Sequence, residues 1–349
     1  MSKKETMSNE DPMFGFGILG AGFVAGVHAK AIASMKNARL VGVFDPCREA
    51  AEKLAEKYGA CVYPSEQALL DDAGVDVVCI CTPSFAHATQ AMAALCHGKH
   101  VAVEKPMALN TEEADRVLAV AEESGRQLTV ISQLRFSEDI PRAREIVQSG
   151  ALGKITLCSL YMKYYRSPEY YSSSAWKGKL STEGGGALMN QGIHGIDLLQ
   201  YLAGPIVDAQ GCVRTLVHDI EVEDSAVATL TMENGALGVI EASVCAYPGF
   251  DRRIEIHGDR GYLRLRENRI EEMMLDGKRS DFTVDDGLSS SADPRGIGSY
   301  LHAQQLENLL QAICGKETLL IDGKEGRRSI AVVESIYRSS RERIAKTEV

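Results

Sequence analysis

The sequence predicts an α/β protein in two parts: an N-terminal doubly wound parallel sheet, then an α+β part built on a large, mostly antiparallel open sheet. Three observations carry this. Gly20-Ala-Gly22-Phe-Val-Ala25 stands between a β-rich run and a helical one. β-rich and helical runs alternate up to about residue 134, the pattern of a parallel sheet wrapped by helices. Beyond that point β-rich runs follow one another with tight-turn signals between them, as in an antiparallel or mixed sheet. At 349 residues the chain also exceeds the roughly 250–300 at which a single core stops growing. The expected division is a disordered tail over 1–12, a dinucleotide-binding Rossmann domain over 13–134, and a substrate-binding and oligomerisation domain over 135–349.

The elements follow in order. Phe14–Leu19 reads as a strand, with a helix from about Val24, a strand over Arg39–Phe44 and a helix from about Arg48. Val75–Cys81, a helix from His87, His100–Val103, a helix over Thr111–Ser124 and Gln127–Ile131 complete the first unit. In the second part, Lys154–Tyr164, Ala209–Leu216, Ala226–Met232, Ala236–Cys245, Arg253–His257 and Gly261–Leu265 are β-rich, with turn signals at Glu233-Asn-Gly235 and His257–Gly261. Helices over Ala187–Leu202, Ser299–Cys314 and Gly326–Ile344 are expected to cover one face of that sheet and leave the other for a partner subunit. Asp285–Gly298 is the one loose segment, and no internal repeat is present.

Composition narrows the function. The net charge of −10 excludes nucleic acid as a general partner, because phosphate backbones are held by clustered Lys and Arg. No run approaches the ~18–20 apolar residues of a membrane span, and the polar first thirteen residues lack the apolar core of a signal peptide. Nine cysteines, an odd number, therefore read as reduced thiols in the cytoplasm. There is no CxxC pair, so no metal is expected. A small-molecule ligand remains.

The glycine motif predicts which one. Gly20 permits the tight turn, Gly22 lets backbone N–H groups approach a pyrophosphate at the helix N-terminus, and Ala25 allows close helix–strand packing. Phe23 and Val24 open that helix. Asp45, at the end of the second strand, can accept both ribose hydroxyls, which favours NAD; a 2′-phosphate there costs roughly 1–3 kcal/mol. Arg48 stands close enough to soften the preference, so NADP is possible. Later strand ends must also meet the cofactor, which points to Thr82 and Pro83, His87, Glu104 and Lys105, and Gln133.

Chemistry is expected at two places. Lys105 leaves the carboxyl edge of the sheet, where an ammonium can stabilise a developing alkoxide; the alternative is a solvated surface lysine. In Gly184-Gly-Gly-Ala-Leu-Met-Asn190-Gln-Gly-Ile-His194-Gly-Ile-Asp197, Asn190 and His194 share a helix face. A histidine near neutrality suits proton removal from a hydroxyl as hydride leaves; the alternative is a histidine capping its own helix. Tyr161, Tyr164, Tyr165, Arg166, Tyr170, Tyr171 and Trp176 are concentrated in a chain only 6% aromatic. Aromatic faces stack on sugars, and Tyr165, Arg166 and Trp176 are the expected contacts.

Together with Cys81-Thr-Pro and His87, Arg135-Phe136, Gly150-Ala-Leu-Gly-Lys-Ile155, Trp176-Lys-Gly178, Glu223-Asp224 and Asn234-Gly235, these motifs make the chain resemble the glucose-fructose oxidoreductase / inositol dehydrogenase (Gfo/Idh/MocA) family over Phe14 to about Ser340. The resemblance implies an NAD-dependent oxidoreductase that moves hydride between a secondary alcohol of a sugar or cyclic polyol and the nicotinamide. It further implies Lys105 as catalytic lysine, often before a cis peptide, His194 as acid/base, and Asn190 and Asp197 as substrate residues. The family often has aspartate at position 190; an amide there bonds a hydroxyl but cannot stabilise a protonated His194 by charge. A UDP-sugar 3-dehydrogenase, a keto-sugar reductase and a non-catalytic NAD sensor are the alternatives. A homodimer or homotetramer is implied.

Overall fold

The computed structural model describes residues 12–284 and 298–347. The tail over 1–12 and the loose segment Asp285–Gly298 lie, but for their last residues, outside the described residues.

Six strands, β1 (Phe14–Leu19), β2 (Ala38–Phe44), β3 (Cys61–Val62), β4 (Val77–Ile80), β5 (His100–Val103) and β6 (Leu128–Val130), form one all-parallel sheet in the order 3-2-1-4-5-6. That is the order of a dinucleotide-binding fold, with its crevice where the order reverses, between β1 and β4. Every residue of β1 and β4 is buried, as strands covered on both faces must be. The crossovers are α1 (Phe23–Ser34), α2 (Arg48–Tyr58), α3 (Glu66–Asp71), α4 (Ser84–Cys96) and α5 (Thr111–Ser124).

After a short 3₁₀ turn over Gln133–Phe136, α6 (Asp139–Gln148) leads into the second layer. Strands β7 (Ile155–Lys163), β8 (Ile206–Arg214), β9 (Ser225–Met232), β10 (Leu237–Ser243), β11 (Arg253–Gly258), β12 (Gly261–Arg266), β13 (Arg269–Leu275) and β14 (Lys278–Asp281) make an eight-stranded sheet in the order 14-13-12-11-7-10-9-8. All pairs are antiparallel except β7 with β10. Between β7 and β8 run α7 (Pro168–Ser172), α8 (Leu180–Glu183), a π-helical turn over Ala187–Gly192 and α9 (Ile193–Ala203). The chain closes with α10 (Tyr300–Ile313) and α11 (Gly323–Thr347).

The sheet has one covered and one open face. Along β9 the buried positions Ala226, Ala228, Leu230 and Met232 alternate with exposed or half-exposed ones, the period of a one-sided strand. Helices α9, α11 and α6 pack on the covered side.

One expectation needs correction. The helix over Ser299–Cys314 does not cover the second sheet: α10 packs on α1, and Leu306, Leu309 and Leu310 join the N-terminal core with Phe16, Ile18 and Ile32. Its buried leucines at i, i+3 and i+4 fit either surface equally well, and periodicity does not say which. Likewise α11 bridges, touching β8 and α9 on one side and α5 and β6 on the other. Strand β3 is too short for a pattern, and β13, Arg269-Ile-Glu-Glu-Met-Met-Leu275, reads as charged because its carboxylates are paired in place.

Candidate active site

Gly20 follows β1 with φ +96°, and a Cβ there would lie 2.7 Å from the Cys81 carbonyl oxygen. Only glycine fits a turn so close to a neighbouring backbone. Gly22 precedes α1, whose N-terminus has no side-chain cap, and no atom lies within 4 Å of a Cβ built on Gly22. The uncapped N-terminus of α1 thus has open space at Gly22 beside exposed Phe23, an arrangement suited to a pyrophosphate. Asp45 is pinned at the end of β2: its Oδ2 accepts the Ala21 N–H and its Oδ1 the Cys47 N–H, each at 2.7 Å. Arg48 is exposed and turned to Glu52 at 2.7 Å.

At the next strand ends, Thr82 donates its hydroxyl to Gln90 at 2.5 Å, and exposed Phe85 follows. His87 lies inside α4 with Nδ1 2.7 Å from the Pro106 carbonyl and Nε2 2.8 Å from the Thr82 carbonyl. It therefore ties the loops after β4 and β5 together rather than offering a nitrogen to a ligand, which corrects the direct cofactor contact expected of it. Burial holds its pKa down. Gln133 follows β6, 6% exposed, and its Oε1 has no hydrogen-bond partner. A buried amide oxygen left so needs a donor, and the carboxamide of a nicotinamide carries one. Cradle, strand-end carboxylate and orphaned amide together fit NAD.

Behind Lys105 lies a cluster the sequence does not reveal. Buried Glu104 is 2.9 Å from His28 Nε2 on α1 and 3.8 Å from His302 Nε2 on α10. Burial alone would push the Glu104 carboxyl up, but the hydrogen bond to His28 and the nearby His302 imidazole outweigh it and hold it well below the usual range. The three could ligate a cation; both histidine Nδ1 atoms lack partners, however, and metal-bound histidines have theirs oriented by a second group. Glu104 thus faces inward, which corrects its assignment to the cofactor surface.

Lys105, half-buried, is followed by a cis peptide to Pro106, as the resemblance implied. Its Nζ donates to the Asn190 backbone oxygen at 2.8 Å and to Asn190 Oδ1 at 3.2 Å. Burial pushes its pKa down, with Glu104 and Glu183 pulling against that and Arg166 adding to it. Asn190 is placed by the π-helical turn, and the turn by Glu223: one carboxylate oxygen accepts the Gly186 N–H at 2.9 Å, the other the Leu188 N–H at 2.7 Å and the Tyr337 hydroxyl at 2.8 Å. One turn later His194 sits partly exposed, bonded to none of the described residues, and burial with the nearby Lys105 charge holds its pKa well below the ordinary histidine value. It is a neutral imidazole beside an amine.

Two expected substrate residues have other partners. Both Asp197 oxygens accept from Arg135, at 2.9 and 2.5 Å, and Arg135 also reaches Glu325 at 2.8 Å. Asp197 is 4% exposed, so it secures α9 to the segment after β6 and leaves no oxygen for a sugar. Arg166, 3% exposed, donates to the Tyr165 carbonyl at 2.8 Å and to Gln191 Oε1 at 2.7 Å, so it orients Gln191 from inside. Tyr165 is half-buried, edge-on to Tyr247 at 5.2 Å, and Trp176 is half-buried with its carbonyl accepting from Thr182 at 2.6 Å. No hydrogen bond links either side chain to Lys105 among the described residues. Glu183, Gln191 and Tyr170 do join the Lys105 cluster. The sequence hides them because Glu183 and Gln191 look like flanks of the glycine-rich run and Tyr170 is one tyrosine among many.

Comparison with known proteins agrees with this architecture. Residues 14–132 match the oxidoreductase family, NAD-binding Rossmann fold, of GFO/IDH/MocA proteins, and residues 140–264 match the GFO/IDH/MocA C-terminal domain. The chain is 28% identical over 335 residues to an inositol 2-dehydrogenase of Rhizobium meliloti, covering 94% of this chain and 97% of that one. It is also 28% identical to a D-glucoside 3-dehydrogenase of Escherichia coli, over 93% of this chain and 94% of the relative. The crystal structure of the WlbA dehydrogenase from Bordetella pertussis, in complex with NADH and UDP-GlcNAcA, superposes with a TM-score of 0.85 at 31% identity, covering 95% and 96% of the two chains.

Proposed function

This chain belongs to the Gfo/Idh/MocA oxidoreductases, and from that membership we propose that it is an NAD-dependent dehydrogenase acting on a secondary alcohol of a sugar or cyclic polyol, with Lys105 and His194 handling the proton. The observation that carries this reading is the Lys105 amine, fixed by two bonds to Asn190 beside a neutral His194, at the carboxyl edge of the parallel sheet.

NAD, when bound, supplies the hydride acceptor. Gly20, Gly22, Phe23 and Val24 hold its pyrophosphate, Asp45 its adenosine ribose, Thr82 and Pro83 the middle of the crevice and Gln133 its carboxamide. Lys105 donates to the substrate hydroxyl oxygen with the one N–H its Asn190 bonds leave over and stabilises the alkoxide that forms. His194, neutral over the physiological range, accepts the hydroxyl proton. Asn190, Tyr165 and Trp176 contact the remaining hydroxyls and ring faces of the substrate.

A neutral substrate suits the site. Lys177 donates to Tyr170 and Ser173, each at 3.3 Å, and lies 3.8 Å above the Tyr170 ring, while Arg166 is buried and engaged. Neither cation stands ready for a diphosphate. The open sheet face, with Val227, Leu237 and Leu157 exposed, supports a homodimer or homotetramer. Nine unpaired thiols support the cytoplasm as its location, and no helix among the described residues is long and apolar enough to cross a membrane.

The test is NADH formation, followed by absorbance, with a panel of hexoses, inositols, anhydrosugars and UDP-sugars offered with NAD and separately with NADP. Turnover of a neutral sugar or inositol with NAD is the expected result. Turnover confined to UDP-sugars would replace the substrate class, and retained NAD with no turnover would favour a sensor.

A further inference from the structure

Glu183 ends α8 almost wholly buried, at 1% exposure, and makes two bonds. Its Oε2 accepts the Gly178 N–H at 2.5 Å, and its Oε1 accepts from Asn190 Nδ2. On the other side of Asn190, Oδ1 faces the Lys105 amine at 3.2 Å. The Asn190 amide therefore stands between a group that can only accept and one that, when charged, can only donate. Just one orientation of the amide satisfies both.

We propose that Glu183 is a positioning residue: its carboxylate fixes which way the Asn190 amide faces, and so aims Asn190 Oδ1 at Lys105. The inference rests on the reading of Lys105 given above. A carboxylate two bonds removed also biases Lys105 toward its charged form without touching substrate. The groups facing Lys105 are Glu104, Glu183, Arg166, His194 and His87. Those facing Glu183 are Lys105, Lys177, Tyr170, Tyr171 and Tyr337. Of the carboxylates about Lys105, Glu104 is held by two histidines, which leaves Glu183 as the one bonded to Lys105's own partner. Burial pushes the Glu183 carboxyl up while Gly178, Asn190, Lys105 and Lys177 pull it down. A protonated Glu183 could donate to Oδ1 and turn the amide's N–H groups toward the lysine, where donors would oppose donors.

The variants are E183Q, which accepts or donates and so frees the amide to flip, and E183Q/N190D, which moves the carboxylate one bond closer to Lys105. The first readout needs no substrate: the pH dependence of Lys105 acylation by acetic anhydride, quantified by peptide mass spectrometry on the full chain. In E183Q the labelling midpoint is expected to fall by on the order of one pH unit, since removing a nearby opposite charge favours the neutral amine. Turnover with the best substrate of the panel should fall roughly tenfold, as a misaimed proton-handling group predicts, with NADH binding unchanged. The double variant should restore the labelling midpoint.

An E183Q curve that overlays the wild-type curve, or a double variant that labels like E183Q, would overturn the proposal. Should E183Q not fold, wild type and the double variant carry the comparison, and a double variant that also fails to fold would mark Glu183 as purely structural. A wild-type enzyme without turnover, yet with the labelling midpoint moved in E183Q, would count against the proposed function and leave the role of Glu183 standing.

Discussion

Asp45 holds its carboxylate in place with two backbone N–H groups, so the negative charge at the end of β2 is fixed before any ligand arrives. Replacing it by serine removes the acceptor for both ribose hydroxyls. NAD affinity should fall by about 5- to 150-fold, the equivalent of roughly 1–3 kcal/mol, while NADP loses its repulsion. Fluorescence titration with NADH and NADPH measures the change in preference; an unaltered ratio would remove Asp45 from the ribose site. This residue was legible because it stands at a strand end after a glycine motif. Glu104, Glu183 and Asp197 were not legible in the same way. Their pairings with His28, Asn190 and Arg135 are made only by the folded chain, and a carboxylate about to be buried looks in sequence like one on the surface.

Between elements, the buried Arg135 pair decides how the second layer sits on the first. Arg135 is 2% exposed, bonded to Asp197 on α9 and Glu325 on α11, with the Tyr201 ring 4.5 Å from its guanidinium carbon. Arg135→Leu leaves two carboxylates without their cation, and breaking a buried pair from one side costs about 3–5 kcal/mol. Thermal and urea unfolding should show that loss. Its pH dependence has a definite sign. Burial already pushes the Asp197 carboxyl up against the pull of Arg135; without the arginine it rises further, so the folded variant binds a proton more readily than the unfolded chain. The deficit should therefore shrink as pH falls, and a deficit that grows toward acid would contradict the assignment. Periodicity located α9 and α11, while the π-helical turn at its head follows from the Glu223 bonds to Gly186 and Leu188, a long-range contact that helix period does not encode.

On the scale of the molecule, the parallel first sheet and the mostly antiparallel second sheet were both readable, because strand alternation and turn signals are local, whereas the strand order 3-2-1-4-5-6 is set by long-range pairing and was not. The course of α10 back onto α1 was not, since an amphipathic helix shows that it covers something and not what. The N-terminal core accordingly includes leucines from near the end of the chain. The open face of the second sheet aligns Leu237 on β10 with Leu157 on β7, with exposed Val227 on β9 beyond them. If this face joins subunits, Val227→Asp with Leu237→Asp should yield monomers in light scattering at unchanged secondary structure. An oligomer that survives both substitutions would place the interface elsewhere.

The central proposal is that Lys105 stabilises the alkoxide of the alcohol as His194 takes its proton and NAD its hydride. Its most direct test compares wild type and Lys105→Ala, side by side, in NADH formation from the best substrate of the panel, with NADH binding measured in both. The variant is expected to form NADH about 10²- to 10⁴-fold more slowly, with NADH bound as tightly as before. A variant that turns over at the wild-type rate would contradict it.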